Sequence, residues 1–190
     1  MVRARRKLTA PRLLNLDAGR WGLERARATA RAIEADRRAL RLLVGAMFGE
    51  VELRKRAADV ARRVTENDAK ALWPFADELA GLLAEVPMEE SRTRWHLGLV
   101  VARTAHTREQ RLRAARLMEL LFEEESNVTR CSAVEGIGLL ADEERSLRAI
   151  AEEMIERALR EGTPAMKARA RHAKRRLEKA GWREHGPSGP

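Results

Sequence analysis

Apolar residues recur along most of this chain at intervals of three, four and seven, the spacing that puts them on one side of an α-helix. Leu72, Phe75, Leu79, Leu82, Leu83 and Val86 trace one such face, and Leu147, Ile150, Met154 and Ala158 trace another. The spacing predicts helices over residues 18–34, 36–48, 50–65, 68–86, 89–105, 107–124, 127–140, 143–161 and 163–181, with a short turn over 10–16. Each break holds only a few residues, which makes consecutive helices antiparallel neighbours. Thr163 before Pro164 offers a side-chain oxygen at an N-cap and a proline at the first helical position, where its missing N–H costs nothing. Ser126 and Thr107 are placed to cap in the same way, and Pro74 lies too near a helix start to break that helix.

Every second helix opens alike. Leu53-Arg54 is followed by Ala57, Thr93-Arg94 by Leu97, Thr129-Arg130 by Ala133, and Met166-Lys167 by Ala170. The basic anchors are 40, 36 and 37 residues apart. Six positions past them stand Val60, Val100, Gly136 and Ala173, where small residues let helices approach closely. A two-helix unit repeating at about this period is the mark of a helical solenoid, in which one pair cannot bury its apolar face until neighbours stack on it.

On these residues the chain resembles HEAT-repeat proteins, whose second helix commonly opens with a Val-Arg-x-x-Ala type pattern. Residues 53–64 (LRKRAADVARRV), Arg94-Trp95-His96-Leu97 and residues 165–177 (AMKARARHAKRRL) look like a group of small bacterial HEAT-like proteins with no assigned activity. The resemblance covers about residues 19–180; threonine stands for valine before Arg94 and Arg130, and lysine stands at 167. It implies an all-α fold, a right-handed α-α superhelix (HEAT/ARM-like solenoid) of about four helix-pair repeats plus an N-terminal partial repeat. The expected divisions are a basic arm over 1–17, the solenoid over 18–181 and a disordered tail over 182–190.

Composition narrows the class. With 190 residues, 44% apolar, 35% charged, 4% aromatic and no tyrosine, the chain is too rich in helix formers for a β-sandwich. A single cysteine, Cys131, excludes an internal disulfide framework and a cysteine-rich metal site. No apolar run approaches the roughly 20 residues a membrane span needs, so the expectation is a cytoplasmic protein with no membrane association. The basic N-terminus lacks the serine enrichment of an organelle address and contains Pro11.

The net charge of +9 is unevenly spread. Residues 1–30 and 162–190 each carry eight basic and two acidic groups, whereas residues 31–161 carry 22 basic and 25 acidic. Thirty-two of the 38 basic residues are arginine, and in the body they stand among glutamates at the helical spacing of a solvated face.

The recurring Arg54, Arg94, Arg130 and Lys167 are expected to form a structural ladder, each paired with a carboxylate in a neighbouring turn (Glu50, Glu52, Glu90 or Glu125). Trp95 is expected in the inter-repeat core with Arg94 and His96 at its edge, because three consecutive helical residues point about 100° apart; Trp21 and Trp73 invite the same reading. The candidate partner surface comprises Asp59, Trp95, His96, Lys167, Arg171, Lys174 and Arg175. In the last helix, Lys167, Arg171, Lys174 and Arg175 form a basic stripe beside the apolar stripe of Met166, Ala170, Ala173 and Leu177. Such a stripe, with Arg3, Arg5, Arg6 and Lys7 at the other end, suits phosphate backbones or an acidic protein. It equally suits a terminal repeat that must turn a polar face outward. Asp59 with Trp95 is also similar, at one residue type per helix, to HEAT-like alkylpurine DNA glycosylases, which use an aspartate and aromatic residues on a basic concave surface.

The four histidines, His96, His106, His172 and His185, include no i, i+4 pair, so no zinc site and no cofactor are expected. Gly136 and Gly138 are read as close-packing positions. The leading expectation is a non-catalytic scaffold that receives a protein partner on its concave face. The alternative is a nucleic-acid-binding module using the arginine-rich termini and last helix. An enzyme ranks third for want of a paired nucleophile and base, clustered carboxylates or metal ligands.

Overall fold

A computed structural model describes Leu16 and residues 19–181; the expected turn over 10–16, most of the basic arm and the expected tail lie outside the described residues. Among the described residues there are nine α-helices and no strand. They are α1 (Leu23–Ile33), α2 (Arg37–Met47), α3 (Val51–Asn67), α4 (Ala76–Glu85), α5 (Ser91–Thr104), α6 (Arg108–Phe122), α7 (Asn127–Glu143), α8 (Arg148–Glu161) and α9 (Pro164–Gly181). No helix is long and apolar enough to cross a membrane.

Local chemistry sets several of the starts. Asp36 caps α2 by accepting from the backbone N–H groups of Arg38 and Ala39 at 2.8 and 3.2 Å. Thr107 and Gln110 form a reciprocal capping box on α6. Ser126 and Thr163 accept from Thr129 N–H and Met166 N–H at the heads of α7 and α9.

The boundaries differ from the periodicity in instructive places. Residues 68–86 do not form one α-helix: Ala69–Phe75 is a 3-10 segment containing Pro74, and the α-helical ladder begins at Ala76. Proline has no N–H for the carbonyl four residues back and disfavours helical geometry in the residue before it, so the tighter turn precedes the helix. A second 3-10 turn, Arg145–Leu147, stands before α8, where the Glu144 carboxylate accepts from Ser146 N–H. Helix α1 begins at Leu23 and not at 18, because Gly19 sits in the left-handed region at φ 66° and Gly22 is extended.

Helices α1, α3, α5, α7 and α9 lie side by side in one layer, each packed on the next; α2, α4, α6 and α8 cover them as a second layer. Within a layer neighbours are parallel. Asn67 at the end of α3 donates to Glu34 beside the end of α1 (3.2 Å), Arg54 near the start of α3 meets Glu90 at the head of α5 (2.5 Å), and Thr129 Oγ1 on α7 reaches the Ser91 carbonyl on α5 (3.4 Å). All turns that lead from the outer to the inner layer therefore share one edge of the molecule.

One continuous core runs between the layers through Leu43, Val64, Leu83, Leu97, Met118 and Ile137. Burial of this kind is the main stabilising term, at about 25 cal/mol per Å² of apolar surface. The small residues read from the repeat register set the spacing. A Cβ on Gly138 would stand 2.7 Å from the Ala173 Cβ, and one on Gly136 would stand 2.5 Å from Met118 Sδ and 3.2 Å from the Ala102 Cβ. Helix α7 is thus pressed against α9, α6 and α5 at positions where an added Cβ would force a neighbour to shift. The outer layer is looser, and α6 and α8 leave a groove of about 510 Å³ between them, lined by Leu120, Phe122, Ile150 and Met154.

Candidate functional site

Three of the four basic anchors, Arg54, Arg94 and Arg130, donate to carbonyls at the end of the preceding helix. Arg54 on α3 donates to the Met47 and Gly49 carbonyls at the end of α2 (2.9 and 3.0 Å) and to Glu90 of the next pair. Arg94 on α5 donates to the Leu83 and Val86 carbonyls at the end of α4 and to Glu124 (Nε, 2.8 Å) of the next pair. Each guanidinium satisfies carbonyls that the helix end leaves open, complements the negative end of the helix dipole, and crosses to the following unit. The row weakens along the chain. Arg130 keeps the carbonyl contact, to Phe122 at 3.0 Å, and lies over the Phe122 ring at 5.4 Å from its centroid but pairs with no described carboxylate, and Lys167 makes no ion pair with a described residue.

The carboxylates are not all those expected. Glu90 fills the role and Glu124 takes the place expected of Glu125, since Glu124 is buried and Glu125 exposed. Glu52 instead pairs with Lys55 and Arg56 on its own helix, and Glu50 heads α3 without a side-chain capping bond.

The expected placement of the Arg94-Trp95-His96 triplet is inverted. Arg94 and His96 are buried at 8% and 7% exposure, whereas Trp95 is half-buried. The cause is the partners: Glu124 and the α4 carbonyls draw Arg94 inward, Asp59 faces His96 at 3.9 Å, and the helical step then leaves Trp95 at the rim. Trp21 is likewise half-buried, and its indole N–H donates to Asp59 Oδ2 at 3.2 Å. Trp73 lies apart, half-buried and stacked on His106 with centroids 4.7 Å apart.

Asp59 is the hub of the inner face. Besides Trp21 and His96 it meets Arg63 at 3.0 Å and Arg62 at 3.8 Å, both from its own helix. Trp95 stacks on His96 with ring centroids 4.4 Å apart, and the Arg62 guanidinium lies over the Trp95 ring at 5.8 Å from its centroid. Arg25 and Arg56 lie over Trp21 at 5.7 and 5.6 Å. Contacts of this kind contribute about 0.5–1 kcal/mol each where exposed and more where water is excluded. Burial drives the His96 pKa from 6.5 down to about 4; Asp59 opposes the shift, and Arg62, Arg63 and Arg92 add to it. His96 is therefore neutral near pH 7. Four polar atoms of this cluster, Asp59 Oδ1, His96 Nδ1 and the Nε atoms of Arg62 and Arg63, are buried without a hydrogen-bond partner.

From this hub the charges continue across the layer as mutual pairs. Arg103 on α5 lies 3.9 Å from Glu66 on α3 and 3.4 Å from Glu135 on α7, and Glu135 also accepts from Arg169 on α9 at 2.7 Å. These residues were not singled out from the sequence; the i, i+3 and i+4 placement of Asp59, Arg62, Arg63 and Glu66 was the available signal.

On α9, Met166, Ala170, Ala173 and Leu177 are buried, Lys167 is half-buried, and Arg171, Lys174 and Arg175 are exposed with no ion pair to a described residue. The structure thus separates the candidate surface into two places, Asp59–Trp95–His96 on α3 and α5 and the basic stripe on α9. No group of three or more metal-ligating side chains occurs among the described residues. Burial raises the pKa of the Cys131 thiol, which disfavours the nucleophilic thiolate. Comparison with family models, with curated proteins and with solved structures gives no significant match.

Proposed function

We propose that the chain is a non-catalytic, HEAT-like scaffold whose layer of α3, α5, α7 and α9 lines the concave face of a right-handed α-α superhelix and receives a protein partner there. The repeated anchors, the parallel order of these helices and the close contacts at Gly136 and Gly138 support the solenoid reading.

The observation that carries the function is the state of charge on that face. On α3 and α5 the central arginines are already engaged, Arg62 and Arg63 by Asp59 and Arg103 by Glu66 and Glu135, while Trp95 stands half-buried among them on a stacked histidine. A stretch that pairs its own charges, as α3 and α5 do, is poorly suited to a phosphate backbone. A pre-ordered tryptophan ringed by paired charges is the pattern of a protein-binding hot spot, which excludes water around one aromatic anchor.

The test is affinity capture with the full chain and with Trp95→Ala, both nuclease-treated and compared by quantitative mass spectrometry. Proteins held by the wild type should be lost with Trp95→Ala while the melting temperature stays the same. Recovery that is indifferent to Trp95 contradicts the reading.

A second reading rests on Arg171, Lys174 and Arg175, which make no ion pair among the described residues, beside Lys167 on α9. Four phosphate contacts would weaken binding about 150-fold between 50 and 200 mM salt, from a slope of about −0.9 per contact. Fluorescence anisotropy with duplex and single-stranded probes separates this reading from the first.

A further inference from the structure

The large apolar side chains exposed among the described residues share one edge. They are Leu23, Phe48, Val51, Met88, Leu120 and Val128. Leu23, Val51 and Val128 stand at the starts of α1, α3 and α7, Phe48 and Leu120 at the ends of α2 and α6, and Met88 in the turn between α4 and α5. Because the layers alternate in direction, all of these positions fall on the edge that carries the outer-to-inner turns. Met88 and Leu120 are 67% and 64% exposed, so no described residue covers this apolar surface.

The same turns are acidic. Glu50, Glu85, Glu89 and Glu125 are exposed and make no ion pair among the described residues, while the anchors Arg54 and Arg94 are turned inward onto Glu90 and Glu124. Arg92 is the exposed base that stands nearest them in sequence. A covering segment must therefore carry positive charge and apolar side chains together.

Residues 1–15 have that chemistry. They hold Arg3, Arg5, Arg6, Lys7 and Arg12 with no acidic residue, and Val2, Leu8, Leu13 and Leu14 among them. Their point of departure also fits. Leu16 is buried in the core and its carbonyl accepts from Arg56 Nη1 at 2.9 Å, while Trp21 is tied to Asp59 three residues further along α3. Traced backwards from Trp21 to Leu16, the chain thus runs toward the start of α3, which is the acidic and apolar edge. Fifteen residues can span up to about 50 Å, whereas adjacent packed helices are about 8–10 Å apart, so the segment reaches from Val51 past Val128.

We propose that this edge is the docking surface for residues 1–15 of the same chain, which lie across the turns with arginines on the free glutamates and leucines on the exposed apolar side chains. Such docking withdraws the N-terminal arginines from any other anion and leaves α9 as the open basic surface.

Lys7 is the only lysine in the segment and gives a direct test in the full chain. Zero-length carbodiimide coupling of an equimolar mixture of isotopically light and heavy protein, read by mass spectrometry, should join Lys7 to Glu50, Glu85, Glu89 or Glu125 within one isotopic form. The yield should fall at least fivefold in 1 M salt. Trypsin should cut after Arg12 at least fivefold more slowly in the wild type than in the full chain carrying Glu50→Gln, Glu89→Gln and Glu125→Gln. Links from Lys7 to carboxylates elsewhere, links that join light to heavy chains, or equal cleavage rates in the two proteins would each overturn the proposal.

Discussion

Removing the guanidinium of Arg94 probes the contact between successive helix pairs where it is most deeply buried. Arg94 and Glu124 are each 8% exposed, and the same guanidinium also satisfies the carbonyls of Leu83 and Val86 at the end of α4. Arg94→Ala leaves the Glu124 carboxylate buried without its cation, and breaking a buried pair from one side costs about 3–5 kcal/mol. For a chain of this length that lowers Tm by about 8–16 °C, at about 2–4 °C per kcal/mol. Arg54 and Glu90 keep 19% and 10% of their side chains exposed, so water takes over part of the role. Arg54→Ala should accordingly cost about 2 kcal/mol, and Arg130→Ala, which loses one carbonyl contact, about 1. Adding Glu124→Gln to Arg94→Ala should recover more than about 1 kcal/mol, because the two residues are directly coupled. Urea and thermal unfolding followed by circular dichroism measure all four. A drop below about 2 °C for Arg94→Ala, on the scale given above, or the reverse order of Arg54 and Arg94, would refute the view that the anchors lock successive hairpins.

Two further outcomes follow from packing and from titration. Gly138→Ala should destabilise by about 1–3 kcal/mol because its Cβ meets the α9 backbone region, whereas Gly81→Ala, with nothing within 4 Å of the new Cβ, should stabilise by about 0.5–1 kcal/mol; denaturant midpoints of the two variants check this, and equal effects would contradict the packing described for α7 and α9. His96 titrates at about 4 when folded against 6.5 for an exposed ring, so between those values the unfolded chain binds more protons and stability rises with pH. It is fully present above about pH 6.5, and lowering the pH to 4 should remove up to about 3 kcal/mol. His96→Gln should flatten the unfolding curve across that window, and an unchanged slope would show that another group is responsible.

Much of the architecture was legible in the sequence because it rests on periodicity and local capping. The anchors at 54, 94, 130 and 167 mark the inner helices, and Thr107, Ser126 and Thr163 cap where their side chains predicted. What was not legible depends on partners distant in sequence. Pro74 stands near a helix start, but whether the preceding turn is α-helical or 3-10 is decided by one missing hydrogen bond. The choice of Glu124 over Glu125 is a rotation of one residue in a turn, set by which carboxylate reaches Arg94. The inversion of Trp95 and His96 has the same origin: hydrophobicity alone sends the indole inward, and only the contacts of Asp59 and Glu124, 37 and 30 positions from His96 and Arg94, reverse it. Trp21, expected in the core, is half-buried ahead of α1, and its bond to Asp59 spans 38 positions and leaves no local trace.

The proposed solenoid must also be unequal in stability along its length, because in a row of helix pairs a terminal pair has one neighbour and a central pair has two. Native-state hydrogen exchange across a urea series measures this directly. Amides of α5 and α7 should exchange only by global unfolding, while those of α1, α2 and α9 should open at distinctly lower free energy and with smaller urea dependence. One common opening free energy for all nine helices would contradict the stack and identify a single cooperative bundle instead.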